Sequence, residues 1–358
     1  MTLILKNEEM AGLLSMPPLI QDMEEAFREL AEGTAILPPR WRVYFPLEPM
    51  GHYYWFNGQT GLVPKFRAAA LRVDSSFCRE VVREGQRRQE FSGDFVGLVL
   101  LFDIDTCRLL SIMDDHYLSP LRVAATCGVG VRYLARPDAQ VLGLFGTGEQ
   151  ARAHLMAVCS VRDIKLVKVF SPTPEHRRRF AEEMSSVVKV EIKVAENNRE
   201  VVQGADIVVA ATNSRTAVLD GTWLEKGAHV ASTVGGDILG GQFSKGDELD
   251  RLTWLRSSSI TITYRQKVES ERPGILGDLL TSGELTWEKI YELGEVVAGK
   301  AKGRASSEDI TVHKNQSAGI QFAVAAKRVY EAAKAKGIGR ELPDEFFMTK
   351  RGGQAWSP

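Results

Sequence analysis

Gly146-x-Gly148-x-x-Ala151 is the part of this chain whose residue types and spacing most directly imply chemistry. It lies between an apolar, strand-like run at 140–145 and a helix-like run at 152–161, and a second apolar run follows at 166–170. In that setting Gly146 allows a tight turn, Gly148 lets the backbone approach a pyrophosphate, and Ala151 keeps the helix close to the sheet. The helix start then offers unpaired N–H groups and the positive end of its dipole to phosphates. Thr147, Glu149 and Gln150 belong to the same turn. Thr212 and Val234, after later strands of the series, complete the expected dinucleotide-contacting set.

The choice of nicotinamide cofactor falls at the end of the second strand. An Asp or Glu there would accept hydrogen bonds from the ribose hydroxyls of NAD. This chain instead reads Ser171-Pro-Thr173-Pro-Glu-His-Arg177-Arg-Arg. Two hydroxyls and a basic residue suit a ribose phosphate, so Ser171, Thr173 and Arg177 favour NADP(H). Glu175 keeps NAD(H) open as an alternative.

The elements that must position these residues divide into two groups. Leu19, Ile20, Met23, Phe27 and Leu30 recur at helical spacing before Gly33. Strand-like runs follow at 41–45, 52–56, 62–71, 95–102 and 109–113, joined by turns, which implies an antiparallel or mixed sheet. Ser119-Pro120 reads as N-cap and first residue of a long helix rich in small residues, running to Leu134. From 140 onwards strands and helices alternate, with strands expected at 140–145, 166–170, 190–194, 206–211 and 228–233. A final helix is expected over 319–336, returning to pack on the first region. The fold class is therefore α/β: a Rossmann domain at 121–311, with an α+β substrate-binding and dimerisation domain built from 1–120 and 312–358.

The 45 Lys and Arg residues nearly cancel the 46 Asp and Glu residues, which argues against a nucleic-acid partner. Arg79, Arg83, Arg87 and Arg88 alternate with Glu80, Glu84 and Glu90, a pattern expected of an exposed helix or loop. The four cysteines show neither metal-ligand spacing nor a disulfide framework, so no metal is expected. With no signal-like segment and no membrane-length apolar run, a cytoplasmic protein is expected.

Leu118-Ser-Pro-Leu-Arg122-Val-Ala-Ala-Thr126, Tyr133-Leu-Ala-Arg-Pro137, the turn at 143–151, Ala205-Asp-Ile-Val208, Val234-Gly-Gly-Asp237 and Gly303–Thr311 follow one another along the chain. Together with Pro38-Pro-Arg40 and Lys65 they resemble the ornithine cyclodeaminase/mu-crystallin family over nearly the whole length. The resemblance implies hydride transfer at the α-carbon of an amino or imino acid, and a homodimer formed through the non-Rossmann domain. It assigns the substrate carboxylate to Arg40, Lys65 and Arg122, and catalytic roles to Asp237, for proton transfer, and to Lys65. Even without it Arg122 stands out, as a cation in a small, apolar helix that needs an anionic partner.

Two departures bear on the activity. An acidic residue expected upstream of the lysine is replaced by the aromatic run 52–56, and Phe322 stands where the family has an acid in the last helix. Arg67 and Arg72 are additional cations, and strand alternation would put Arg67 on the same face as Lys65. The expected function is an NAD(P)H-dependent oxidoreductase of amino or imino acids. The alternatives are an ornithine or lysine cyclodeaminase that recycles NAD⁺, and a mu-crystallin-like NADPH- and ligand-binding protein.

Overall fold

A computed structural model describes residues 1–47, 51–83, 85–233 and 246–349. In chain order the first elements are β1 (Thr2–Leu5), α1 (Met16–Glu32), β2 (Trp41–Leu47), β3 (His52–Val63), β4 (Ala68–Arg83), β5 (Gln86–Asp103), β6 (Leu109–Asp114) and α2 (Leu118–Leu134). The alternating part contributes β7 (Val141–Phe145), α3 (Glu149–Cys159), β8 (Leu166–Phe170), α4 (Pro174–Val188), β9 (Glu191–Val194), α5 (Asn198–Val202), β10 (Ile207–Ala210) and β11 (His229–Ser232). It continues with α6 (Arg251–Arg256), β12 (Ser259–Ile262), α7 (Arg265–Glu271), α8 (Gly274–Ser282), β13 (Ile290–Glu292) and α9 (Leu293–Val297). The chain ends with β14 (Thr311–Lys314), α10 (Gly319–Lys336) and β15 (Arg340–Leu342).

Two sheets result. The first runs β15-β1-β6-β5-β4-β3-β2, antiparallel except where β1 meets β6. The second runs β13-β12-β14-β11-β10-β7-β8-β9, with every pairing parallel. Its central strands β10, β11, β12 and β14 are buried at every position, as a parallel sheet covered on both faces requires. β14 falls on the boundary expected near 311 and lies inside the parallel sheet, between β11 and β12.

α1 forms because Leu19, Ile20, Met23 and Phe27 share one fully buried stripe. Gly33 ends it in the left-handed conformation, its N–H reaching Glu29 and Leu30 carbonyls. α10 packs across β3, β4, α1 and α2, so the expected return of the last helix is observed. α2 lies between the two sheets and contacts α1, α3, α10, β11 and β14. Its small residues permit this: a side chain at Gly128 would collide with Ile20, and one at Gly130 with His313.

Three local expectations are corrected. α2 begins at Leu118, and the Ser119 N–H donates to the Asp115 carbonyl at 2.8 Å, so Ser119 lies inside the first turn and is not the N-cap. The run 62–71 is a hairpin: β3 ends at Val63, Pro64–Phe66 form a 3-10 turn, and Ala68 pairs back onto Val63. The arginine- and glutamate-rich stretch near 79–90 belongs to the β4–β5 hairpin, with Arg79 opposite Glu90 and bonded to it at 3.1 Å.

Candidate functional site

The parallel sheet reverses its strand order between β7 and β10, and a cleft opens outside the carboxyl ends of the strands there. Its volume is about 630 Å³. Gly146, Thr147, Gly148, Glu149 and Gln150 line it after β7, Ser171, Thr173 and His176 after β8, and Thr212, Asn213 and Ser214 after β10. Gly146 has φ +106°, and a Cβ there would stand 2.3 Å from the Ala211 carbonyl oxygen. Nothing lies within 4 Å of the Cβ position of Gly148, which precedes α3 and leaves its N-terminus without a side-chain cap. Ala151 is fully buried behind the turn and holds α3 against the sheet. This cradle fits a dinucleotide pyrophosphate, with open N–H groups at the start of a helix.

The rim has its own contacts. Thr147 donates to Ser171 Oγ at 3.3 Å, and Glu149 lies 3.3 Å from His116 Nε2. The Thr212 N–H and hydroxyl donate to Glu248 Oε1 at 2.6 and 2.7 Å.

Arg177 does not line this cleft, which corrects the expectation for it. Its side chain is buried against the Phe170 ring, 4.6 Å from the centroid, and Nη1 donates to the Ala195 carbonyl at 2.8 Å. The helical register turns it inward towards β9 and presents His176 to the cleft instead. Arg178 and Arg179 are exposed and face Glu175 and Glu183. Val234 and Asp237 lie outside the described residues.

A second polar cluster joins the two sheets. Arg122 of α2 is 5% exposed and stacks on Phe322, with its guanidinium 4.2 Å from the ring centroid. Nη1 donates to Ser317 Oγ at 2.7 Å and to Gln321 Oε1 at 2.5 Å, and Nη2 reaches Ser119 Oγ at 3.5 Å. None of these partners is a carboxylate. Burial, with the charges of Arg72 and Arg40 and against that of Asp115, lowers this guanidinium to about 9. Arg40 is bidentate to Glu271 of α7, with Nη2 at 2.9 and 3.0 Å from its two oxygens.

Lys65 is not part of this cluster. The 3-10 turn carries it away, its side chain is 59% exposed, and Nζ pairs with Glu25 at 2.8 Å. Arg67 adopts φ +50° and pairs with Asp105, so the shared face expected for these two cations does not form. The cation that β4 does bring in is Arg72, named in the sequence only as an extra charge. It bonds Asp115 at 2.5 Å, Asp74 at 3.2 Å and the Asn57 side-chain oxygen at 3.2 Å, with Phe322 beneath it. Gln59 is paired with Arg72 across the β3–β4 ladder and accepts from the Ser317 hydroxyl at 2.7 Å. The upstream position facing this cation therefore carries an amide, and the aromatic run 52–56 lies farther along β3.

Sequence reasoning also missed Lys267 of α7, which is 4% exposed and donates to the Ser317 carbonyl at 2.8 Å. Its neighbours in the sequence, Arg265-Gln-Lys267-Val-Glu-Ser-Glu271, are mostly polar and carry no signal of its burial. Among the described residues no group of His, Cys, Asp and Glu is arranged to hold a metal ion.

Known proteins share this architecture. Over 357 residues the chain is 29% identical to the alanine dehydrogenase of Archaeoglobus fulgidus, covering 97% of this chain and 99% of the relative. The solved structure of Thermococcus litoralis Δ1-pyrroline-2-carboxylate reductase in complex with NADH and L-proline is 30% identical, with a TM-score of 0.80. That match covers 95% of this chain and all of the other. An archaeal alanine dehydrogenase dimer with bound NAD is 28% identical, with a TM-score of 0.80, covering 96% of this chain and 99% of its own. A model of the ornithine cyclodeaminase/mu-crystallin family matches residues 1–337, and this chain belongs to that family.

Proposed function

We propose that this protein is an NAD(P)H-dependent oxidoreductase of amino and imino acids that reduces a cyclic ketimine or another α-imino acid. The observation that carries the reading is the cleft at the strand-order reversal, lined by Gly146–Gln150 and capped by the open start of α3. The relatives support the substrate class, because alanine and Δ1-pyrroline-2-carboxylate both have a carbon that bears nitrogen and a carboxylate.

A bound nicotinamide supplies the hydride. Arg122 holds the substrate carboxylate, Arg40 and Arg72 frame the site, and Phe322 gives it an apolar wall. Asp237, five positions beyond the end of β11 at Ser232, is proposed as the group that exchanges a proton with the substrate nitrogen. Replacing it by Asn should abolish turnover and leave nicotinamide binding intact.

The lean towards NADP(H) rests on Ser171, Thr173 and His176 at the end of β8. Glu149 is the one carboxylate among the described lining residues, and it sits at the pyrophosphate turn. Glu175, the residue that left NAD open, is turned towards Arg178. The homodimer is also a proposal. Val43, Phe45, Phe77 and Val96 leave an apolar, exposed face on β2–β5, of the kind that a second copy covers.

A cyclodeaminase needs a group that holds or deprotonates a side-chain ammonium. Gln59 faces Arg72 with an amide, and Asp74 and Asp115 are both engaged by Arg72, so the site favours an uncharged or cyclic side chain.

Absorbance-monitored oxidation of NADPH and NADH with Δ1-pyrroline-2-carboxylate, Δ1-piperideine-2-carboxylate, and pyruvate plus an amine tests the reading. Consumption with at least one of them is expected. Ammonia release from ornithine or lysine with catalytic NAD⁺, and no consumption in the first assay, would replace it by the cyclodeaminase.

A further inference from the structure

The ion pairs around Phe322 do not all close. Arg40 has Glu271, and Arg72 has Asp115 and Asp74. Arg122 and Lys267 come from opposite sides to one residue, Ser317. Arg122 Nη1 donates to its hydroxyl at 2.7 Å, and Lys267 Nζ donates to its carbonyl at 2.8 Å. Both side chains are at least nine-tenths buried, and among the described residues neither has a carboxylate as a hydrogen-bond or ion-pair partner.

Burying two neighbouring cations without a counter-charge is costly, and a fold has little reason to retain the arrangement unless an anion completes it. Ser317, Arg40 and Glu271 keep partial exposure, so the pair borders an opening and is not sealed in a core.

We propose that Lys267 and Arg122 together bind the substrate carboxylate, with Lys267 filling the role that Lys65 does not. This rests on the reading of the protein as an oxidoreductase of α-imino acids and names a further binding residue for that site. Lys267 Nζ is held against the Ser317 carbonyl, and an incoming carboxylate supplies the counter-charge that the pair lacks. Four groups face Lys267: Arg40 from the segment before β2, Glu271 from its own helix, Arg122 from α2, and the Ser317 carbonyl from the segment between β14 and α10. Burial first, then Arg40 and Arg122, push its pKa well down, against the opposing effect of Glu271. An anion beside Nζ opposes that shift, so carboxylate binding favours the charged form of Lys267, and affinity falls as pH rises through its titration.

The test is Lys267→Met in the full-length protein, a replacement of similar length that removes one buried cation and strips no carboxylate of its partner. Against whichever α-imino carboxylate the wild type reduces, KM should rise on the order of 10- to 100-fold, as for loss of one charge-assisted hydrogen bond. kcat and the dinucleotide Kd should change far less, and the rise of KM with pH should disappear. An unchanged KM and an unchanged pH profile in a folded variant would overturn the proposal.

If the wild type reduces none of the substrates, the functional reading fails separately. Thermal stabilisation by pyrrole-2-carboxylate, compared with pyrrole-2-carboxamide, then decides the anion site. Stabilisation of the wild type by the acid alone, lost in Lys267→Met, supports the site without the activity. Equal responses in both proteins reject it.

Discussion

Arg72 and Lys65 have opposite fates, and the difference is readable in their contacts. Lys65 shares an exposed ion pair with Glu25, an arrangement worth about 0–1 kcal/mol. Lys65→Ala should therefore leave turnover unchanged and stability within about 1 kcal/mol, measured by steady-state kinetics and denaturant melts. Arg72 instead satisfies Asp115, which is 2% exposed. Arg72→Met leaves that carboxylate buried without its partner, and about 3–5 kcal/mol of stability should be lost. A loss below about 1 kcal/mol would show that Asp115 finds another donor. At the other end of the site, Ser171→Asp places on the cleft wall a carboxylate that would accept from a ribose hydroxyl and repel a ribose phosphate. The NADPH-to-NADH preference should fall at least about tenfold, read as a ratio of kcat/KM values.

Among the elements, those with strong periodicity were legible and those shaped by one residue were not. The parallel strands from β7 to β11 fall within one or two residues of their expected positions, because continuous apolar runs bounded by turns carry that signal. α10 was readable at both ends. The break at Pro64 was not: alternation on either side of a tight turn looks like one long strand, and that reading misplaced Lys65. Arg177 failed for a related reason, since a basic run on a helix does not say which member turns inward. Lys267 was invisible because nothing in the sequence links α7 to Ser317.

The turn between β7 and α3 gives the element-scale prediction. Gly146→Ala demands a side chain at φ +106° and a Cβ that overlaps the Ala211 carbonyl. The turn must shift, and dinucleotide affinity should drop at least about tenfold by fluorescence titration while the far-UV spectrum is retained. Unchanged affinity would mean that the pyrophosphate is not held there.

At the scale of the whole molecule, three histidines lie in the layer that joins the sheets. His154 of α3, His229 of β11 and His313 of β14 are all fully buried. Burial pushes His154 down to about 4 and His313 down to about 3, and burial with the neighbouring His313 pushes His229 well below its ordinary range. The unfolded chain binds protons at these residues near pH 6.5 and the folded chain does not. Their neutral forms thus favour the fold fully above about pH 6.5, and that contribution is lost progressively as pH falls towards about 4 for His154 and about 3 for His313. Melting temperature should fall steeply between pH 7 and pH 5, and His154→Leu should flatten the slope. A flat profile in the wild type would show that these imidazoles keep access to water.

Synthesis order gives the β1–β15 pair another significance. Leu5 and Arg340 are 335 positions apart, so β1 leaves the ribosome tens of seconds before its outer partner exists, at roughly 5–20 residues per second. β14 completes the parallel sheet earlier, and α10 and β15 then close the sheet that was begun first. Until they arrive, the edge of β1 and the face of β3 and β4 beneath α10 are open to a neighbouring nascent chain. Released chains truncated before Gly319 should be cleaved readily within residues 2–134 by limited proteolysis, whereas the parallel sheet resists. The lobe that is translated first is the last to become safe from aggregation.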